Sequence, residues 1–391
     1  MNECSFINRY DPITMTATLS DANSKRFRFW SFVSMVLLVF VHGYNLDIRF
    51  LHPATMPGEP LTFTAFFEYW TANGLLRFRI PMLFLISGYL FAMHDLVPQG
   101  QRMKKRLRTL LVPYLLWSAA GLALVVAMEM TVLGTDILRT TRMLWYGGEK
   151  MLLSDYAWYE VLERWIMMPV PYQLWFLRSL LMLNLLYPAL RWCVTHPNAP
   201  RYFFPFAVLF WLASFGILFI EGEGLLFFSL GIWMQKRSFD LDGPAPLMRP
   251  MWWGMLFVGT ASVKSVLAFT GIPGAGDWIY PLLLLLHKFT VLSGVIFAWF
   301  AGRGRAERWM ERRWFASLAA YSFVIYAMHA PFVAFAIDGV FRYVHHLPFY
   351  RLGTFILLPL TIIAMCVLVG WVLKRTVPRF YGLLTGGRGL A

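Results

Sequence analysis

The chain has 391 residues, of which 58% are hydrophobic and only 14% charged, and its formal net charge is +14. A soluble globular protein has about 25% charged residues, so this composition excludes that class and leaves no room for a large soluble domain. The basic residues lie beside apolar runs, where Lys and Arg orient membrane helices, so the charge does not indicate nucleic-acid binding. Three widely separated cysteines, Cys4, Cys193 and Cys366, form no metal-ligand spacing, and the sequence predicts neither a disulfide framework nor a metal site.

Apolar runs of about 20 residues recur along the chain, and each is long enough to cross a hydrocarbon core about 30 Å thick. They predict an all-α fold, a polytopic transmembrane helical bundle of about ten helices. The predicted spans are 29–46, 80–96, 109–131, 173–190, 202–220, 224–235, 251–270, 279–300, 315–337 and 351–373. The sixth is short for a full span, so nine or eleven crossings remain open.

Polar segments flank the predicted membrane domain, which covers residues 29–373. Residues 1–28 lack an apolar core with a cleavage site and are interpreted as a cytoplasmic N-terminal tail rather than a signal peptide. Residues 374–391 form a cytoplasmic C-terminal tail. Alternate breaks between spans are strongly basic, and the positive-inside rule places them, with both termini, in the cytoplasm. These breaks read "SKRFR", "QRMKKRLR", "QKR", "GRGRAERWMERR" and "KRTVPR".

Two outer stretches, 47–79 and 132–172, combine acidic and aromatic residues, as in "DIRFLHP" and "LSDYAWYEVLERW". Aromatic faces beside carboxylates suit sugar rings. Aromatic belts at the lipid interface explain any single Trp or Tyr equally well.

Ionisable residues inside the predicted spans are costly and are therefore candidates for function. They are His42, Arg178, Lys264, His287, Lys288 and His329. Helical rise places His42, Lys264 and His329 about 20 Å from the inner face. The other three lie in helices that run the opposite way, roughly 8 to 14 Å below the outer face. The two sets coincide in one layer of the outer half of the membrane.

Each of these residues alone also has a structural explanation, such as a packed histidine, a snorkelling lysine or an arginine bound to carbonyl groups. Together they predict a hydrated cavity. Histidines with excess positive charge can accept a proton and stabilise an oxyanion, which are the two needs of acyl transfer to a hydroxyl. A proton-coupled transporter of a sugar or an anion remains the alternative, although its usual acidic relay is missing from the spans apart from Glu129. A scaffolding role in envelope-glycan assembly is a third hypothesis.

Five segments, taken in order, resemble the membrane-bound acyltransferase 3 family of bacterial O-acetyltransferase-like proteins. They are "FWSFVSMVLLVFVHGYN", "RIPMLFLISGYLF", "KKRLRTLLVPYLLWS", "QLWFLRSLLMLNLLYP" and "YSFVIYAMHAPF", which extend from about residue 25 to 335. The resemblance implies transfer of an acyl group, commonly acetyl, from cytoplasmic acyl-CoA to a hydroxyl, without a metal. It also implies a multi-pass protein of the bacterial inner membrane. Its partners would be a glycan acceptor, acyl-CoA and envelope-glycan biosynthesis proteins.

By the same resemblance, His42 corresponds to the essential histidine of the first helix, as general base or acyl carrier, and His329 occupies a supporting position. Arg178, or Lys264, would stabilise the oxyanion. Trp175 and His287 are predicted to contribute to substrate binding.

One departure concerns the Arg that many members carry eleven residues before the histidine. Here that position is Ser31, and Arg28, one turn earlier on the same face, is the candidate replacement.

The basic segment "QRMKKRLR" is the candidate docking site for the phosphates of CoA. The residues predicted to bind them are Arg102, Lys105, Arg106 and Arg108. The alternative is that they only satisfy the positive-inside rule. Ser87 in "SGY" has two interpretations, an acyl relay or a position of close helix packing.

Overall fold

The computed structural model describes residues 19–46, 52–141, 144, 150–243 and 245–389. Its α-helices are α1 (Asp21–Gly43), α2 (Phe63–Tyr69), α3 (Arg79–Ala92), α4 (Gln99–Arg106), α5 (Val112–Glu129), α6 (Val132–Thr141), α7 (Trp158–Ile166), α8 (Trp175–Leu185), α9 (Tyr187–Thr195), α10 (Pro200–Leu212), α11 (Gly222–Lys236), α12 (Pro250–Thr270), α13 (Ile279–Ala301), α14 (Arg305–Glu311), α15 (Arg313–Ala319), α16 (Ser322–Val344), α17 (Tyr350–Thr376) and α18 (Pro378–Thr385). The described residues also form two π-helical segments, Trp70–Leu75 and Leu107–Leu111, and four 3₁₀ segments, Leu153–Asp155, Tyr172–Leu174, Pro246–Met248 and Gly276–Trp278. Two short strands, β1 (Gly216–Ile217) and β2 (Ile220–Glu221), form an antiparallel hairpin. Residues 1–18 of the predicted tail and 47–51 of "DIRFLHP" lie outside the described residues.

Seven helical stretches in the described part of the chain are long and apolar enough to cross a membrane. They are Asp21–Gly43, Phe63–Ala92, Gln99–Glu129, Pro250–Thr270, Gly276–Ala301, Ser322–Val344 and Tyr350–Thr376. The predicted all-α polytopic fold is therefore confirmed. The number of ten crossings and the sidedness of the termini stay predictions, because the fourth, fifth and sixth predicted spans consist of shorter helices.

The fifth predicted span, 202–220, was wrong in its second half. Helix α10 ends at Leu212 and the chain then turns back through the β1–β2 hairpin, in which Ile217 pairs with Ile220. The hairpin is as apolar as the helix before it, and hydropathy alone does not separate the two.

The second predicted span begins earlier than its predicted start at residue 80. Helix α2, the π-helical segment Trp70–Leu75 and helix α3 form one candidate span from Phe63 to Ala92. The basic "RFR" at 77–79 is therefore in the middle of this stretch rather than in an outer loop.

Helices α3 and α11 pack with their backbones in direct contact. A Cβ atom on Gly88 would overlap the carbonyl group of Phe228, and one on Gly231 would overlap that of Leu85. Only glycine allows this approach, as in other small-residue helix contacts in membranes. The geometry supports the packing interpretation of "SGY", and Ser87 does not line the main cavity.

The two ends of the bundle differ in chemistry. We call the end where α1 finishes the histidine end; it also holds the hairpin and the starts of α3, α11 and α13. The opposite end, with α4, α14, α18 and the loop around Asp242, is the basic end. Arg26 of α1 joins this loop to α14 through bonds to Asp242 and Glu307, both at 2.9 Å.

Candidate active site

His42 lies in the last turn of α1, and the chain after it is held firmly. The backbone N–H of Asn45 donates to the buried Glu68 carboxylate at 3.0 Å. Arg351 donates to the Asn45 carbonyl at 3.2 Å and forms a bidentate pair with Glu59 at 2.9 and 3.1 Å. These bonds fix the end of α1 and therefore the orientation of the imidazole.

Among the described residues, Tyr172 and His329 contact the His42 ring. Its Nδ1 lies 2.8 Å from the hydroxyl of Tyr172, and the His329 ring lies 5.4 Å away between centroids. His329 is completely buried, and its Nδ1 lies 2.8 Å from the Ile325 carbonyl oxygen. Because a carbonyl only accepts, Nδ1 of His329 carries the proton and donates it. Its Nε2 has no partner within the described part of the chain.

A cavity of about 590 Å³ opens in front of His42. This volume lies in the range of small-molecule binding sites, about 300–1,000 Å³. Residues 52–53 and the hairpin form its outer wall. Its polar and charged lining consists of His42, Tyr44, His52, Arg77, Arg79, Gln173, Ser214, Glu221, Glu223, His287, Lys288 and Tyr326. The apolar lining includes Trp175, Phe176, Trp211 and Phe215.

Arg77 is placed by the π-helical segment that precedes it. Its guanidinium donates to the Ala72 carbonyl at 3.1 Å and to the side-chain oxygen of Asn73. The carbonyl of Asn73 in turn accepts from the buried Lys264 ammonium of α12 at 2.5 Å. π-Helical segments are frequent at functional sites because they free backbone carbonyls for such bonds.

Arg79 begins α3 and is 4% exposed. It donates one bond to the Leu76 carbonyl at 2.7 Å, and its Nε has no partner among the residues described. Both Arg77 and Arg79 line the same cavity as His42. The cavity thus brings a histidine and two guanidinium groups together.

Two carboxylates and a lysine also line the cavity. Lys288 lies over the Trp211 ring, 5.1 Å from its centroid. Within the described ranges, neither Glu221 nor Glu223 forms an ion pair within 4.0 Å. Burial raises the pKa of the Glu221 carboxyl, although the charges of Arg178 and Lys288 act against it. Burial likewise lowers the pKa of His52, and nearby cations act in the same direction.

The structure brings some of the predicted site residues to this cavity. His42, Trp175 and His287 line it, and His329 packs on His42. Lys264 lies behind the wall, where it supports Asn73. This position does not favour the predicted role of Lys264 in stabilising the oxyanion.

Arg178 is turned away from His42. It donates to the Met167 carbonyl, and its guanidinium lies 4.0 Å from the centroid of the Phe219 ring. It lines a separate apolar cavity of about 150 Å³ beside Tyr114. A direct role for Arg178 in acyl transfer therefore stays a prediction. The position of its side chain does not support that role.

The predicted CoA-binding residues divide into two groups. Arg102 pairs with Asp95 at 3.3 Å and lies over the Phe91 ring, and Arg106 lies over the same ring at 5.2 Å. Lys105 and Arg108 are exposed. The second group is accessible to a ligand, whereas the first stabilises the fold.

The two arginines of α1 also divide into one exposed and one buried side chain. Arg28 is exposed on α1, whereas Arg26 is 1% exposed and bound to Glu307, Asp242 and the Leu241 carbonyl. Neither side chain lines the cavity at the histidine end.

Sequence reasoning missed Arg77, Arg79, Tyr172, Glu221 and Glu223. The two arginines were assigned to a loop because the span was started after them. An available signal was "RFRIPMLF", in which basic residues run directly into an apolar helix. Glu221 and Glu223 were hidden between two apolar runs.

No group of three or more His, Cys, Asp or Glu side chains that could hold a metal ion occurs in the described part of the chain. The family model for the acyltransferase domain matches residues 30–375. The succinoglycan biosynthesis protein ExoH of Rhizobium meliloti (strain 1021) is similar, with 26% identity over 330 residues that cover 81% of this chain and 80% of that protein. No solved structure matches. The chain thus belongs to the acyltransferase 3 family and is a multi-pass membrane acyltransferase.

Proposed function

We propose that the protein is an O-acyltransferase of the bacterial inner membrane that acts on an exported or cell-envelope polysaccharide. The acyl group, in the first instance acetyl, would come from cytoplasmic acyl-CoA. The relative's name, a succinoglycan biosynthesis protein, supports a polysaccharide acceptor. The observation that carries the proposal is the contact of His42 with Tyr172 in a cavity that also holds Arg79.

His42 acts as the general base. A neutral imidazole whose Nδ1–H donates to the Tyr172 oxygen has Nε2 free to accept the proton of an acceptor hydroxyl. Tyr172 is then the group that orients the base, the third member of a nucleophile–base–orienter arrangement. His329 packs on the imidazole of His42 and helps to fix the orientation of that ring.

The transfer itself involves one bond formed and one broken at the acyl carbon. The acceptor oxygen adds to the thioester carbonyl as His42 takes its proton, and the negative charge develops on the carbonyl oxygen. The Arg79 guanidinium stabilises this oxyanion, because its Nε is not occupied by another described group. When the intermediate collapses, the C–S bond breaks and the proton passes from His42 to the CoA sulfur.

The donor enters from the basic end. Lys105 and Arg108, exposed at the end of α4 and in the π-helical segment after it, attract the phosphates of CoA. The polysaccharide reaches the cavity from the histidine end, where its outer wall is formed by loops.

The test compares wild type with His42→Ala, using purified protein, radiolabelled acetyl-CoA and isolated envelope glycans. Loss of transfer by about 10²–10⁴-fold is expected, the usual contribution of a general base. His345→Ala, in an exposed histidine at the end of α16, is the matched control and should retain full activity. Equal transfer by His42→Ala and wild type would contradict the proposal.

One observation favours the transport hypothesis, because Glu221 and Glu223 supply the acidic groups that the predicted spans lacked. Transport predicts that reconstituted protein moves a labelled sugar across vesicles without acyl-CoA. Movement that depends on acyl-CoA, or no movement, would leave acyl transfer as the function.

A further inference from the structure

The hairpin at the outer wall of the cavity has an unusual backbone. Its two turn residues, Leu218 and Phe219, have φ of 49° and 68°, in the left-handed region that bulky residues avoid. Hairpin turns with this geometry normally use Asn or Gly. Other contacts must therefore hold the turn in place, and such enforced conformations concentrate at functional sites.

Arg178 supplies such a contact. Its guanidinium stacks on the ring of Phe219 at the hairpin tip and also donates to the Met167 carbonyl. The side chain of α8 thus ties the hairpin to the segment that follows α7. Without Arg178 the turn would lose this link to the segment that follows α7.

The chain that leaves the turn brings two carboxylates to the cavity. Glu221 ends β2, Glu223 lies in the first turn of α11, and both line the space in front of His42. Both lack an ion pair within 4.0 Å in the described ranges, so their oxygens are available to accept hydrogen bonds from a ligand.

A second set of polar groups in the same cavity also lacks protein partners. Nδ1 of His287 and Oε1 of Gln173 are buried and unbonded as far as the described residues go. The two side chains are only 6% and 2% exposed and line the cavity. Buried polar atoms are normally satisfied, so these atoms indicate a hydrogen-bonding ligand.

The combination of groups specifies the chemistry of that ligand. Carboxylates, an amide oxygen and an imidazole nitrogen suit several hydroxyl groups, while the faces of Trp175 and Trp211 suit the apolar side of a ring. A carbohydrate presents both.

We propose that the hairpin wall is the acceptor subsite, in which Glu221 and Glu223 bind the non-reacting hydroxyls of the sugar residue to be acylated. Arg178 is a positioning residue that holds this wall and does not touch the reacting atoms. The proposal rests on the proposed function and names the part of the site that selects the acceptor.

The experiment uses the full-length protein in detergent and two isosteric variants, Glu221→Gln and Glu223→Gln. The probe is a set of oligosaccharides released by mild acid from the exported polysaccharide of the producing bacterium and labelled at the reducing end. Binding is measured without acyl-CoA, and transfer is measured with it. Asp277→Asn, an exposed outer acid away from the cavity, is the matched control.

Each variant should raise the Kd and KM for the oligosaccharide about tenfold and leave the KM for acetyl-CoA unchanged. Unaltered oligosaccharide Kd and KM, or no binding by wild type, would overturn the subsite even if acyl transfer proceeds. Weakened binding without any use of acyl-CoA would support the subsite and refute the proposed function. The two proposals therefore fail separately.

Arg178 is tested by Arg178→Met and by Arg178→Lys, which retains the charge. A positioning role predicts that Arg178→Met raises the KM for the oligosaccharide with little change in kcat, and that Arg178→Lys restores part of the affinity. A fall in kcat at saturating substrate, with unchanged KM for the oligosaccharide, would instead make Arg178 the oxyanion donor and overturn its positioning role.

Discussion

At the basic end, Asp95 lies among Arg102, Arg191 and Lys236, and Arg102 and Arg191 approach its oxygens to 3.3 and 3.0 Å. At the histidine end, Glu223 lines a cavity and forms no ion pair within 4.0 Å across the described residues. Both regions hold charges in an apolar protein. The Asp95 cluster neutralises its charges through ion pairs, whereas the two carboxylates that line the cavity do not.

The difference separates two uses of buried charge. A paired charge at the basic end joins helices, and its removal leaves the partner uncompensated. A charge that faces a cavity costs stability and is retained where a ligand completes its interactions. Substitutions at the two ends should therefore alter different quantities, unfolding at one and turnover at the other.

Among the substitutions that test this difference, Arg79→Met at the histidine end should have the largest effect. Loss of the group that stabilises the oxyanion should lower kcat by about 10²–10³-fold, with the KM for acetyl-CoA nearly unchanged. Steady-state transfer of radiolabelled acetyl groups measures both constants. Arg201→Met, in an exposed residue of α10, serves as control. A variant with wild-type kcat would show that Arg79 has no catalytic role.

Asp95→Asn should affect stability instead. Three cations would lose their counter-ion, at a cost of about 3 kcal/mol if the site behaves like other buried pairs. The expected result is a lower thermal denaturation midpoint in detergent, with kcat at low temperature retained. Asp277→Asn should leave the midpoint unchanged. A stable but inactive Asp95→Asn protein would contradict the division between the two ends.

The double variant Lys105→Ala, Arg108→Ala tests whether the exposed part of the basic end binds the donor. We expect the KM for acetyl-CoA to rise about tenfold and the salt dependence of KM to weaken, because exposed charges act through screened attraction. Arg201→Ala with Arg249→Ala removes the same charge from other exposed positions on α10 and before α12. Equal effects of the two double variants would indicate a general surface potential and no docking site.

The smallest effect concerns pH. Burial acts to raise the pKa of Asp95, but hydrogen bonds from Lys236 and Tyr187 prevail and hold it below the usual 3.8. A lowered folded-state pKa means that the stabilisation is complete above pH 3.8 and is lost as the pH falls through the folded value. The denaturation midpoint of wild type should therefore drop in this acid range. The Asp95→Asn protein should show a weaker dependence, and identical pH curves would exclude this contribution.

Much of the fold was predictable because the bilayer imposes it. Long apolar runs at 251–270, 279–300 and 351–373 match α12, α13 and α17 within a few residues. The predicted span boundaries were wrong where a turn or an irregular helical segment sets the direction of the chain. The hairpin after α10 is apolar, the π-helical segment before Arg77 mixes apolar residues with Thr71 and Asn73, and composition reveals neither one.

The candidate site was predictable only in its histidines. His42 and His329 stand out as isolated imidazoles in apolar helices, and the structure places their rings in contact. Arg178 lies at the same predicted depth in the membrane as the histidines. Depth does not specify the helix face on which a residue lies, and the Arg178 side chain lies against Phe219. The partners of His42 come from distant segments, so no local pattern identified Tyr172.

The glycine contact between α3 and α11 has a consequence for redesign. Arg79 begins one of these helices and Glu223 lies at the start of the other, so the backbone contact at Gly88 and Gly231 keeps the proposed oxyanion donor and the proposed sugar-binding acid at a constant separation. Side chains cannot be enlarged along this seam. Libraries aimed at a new acceptor should therefore keep Gly88 and Gly231 and vary positions that line the cavity, such as Glu221 and Glu223.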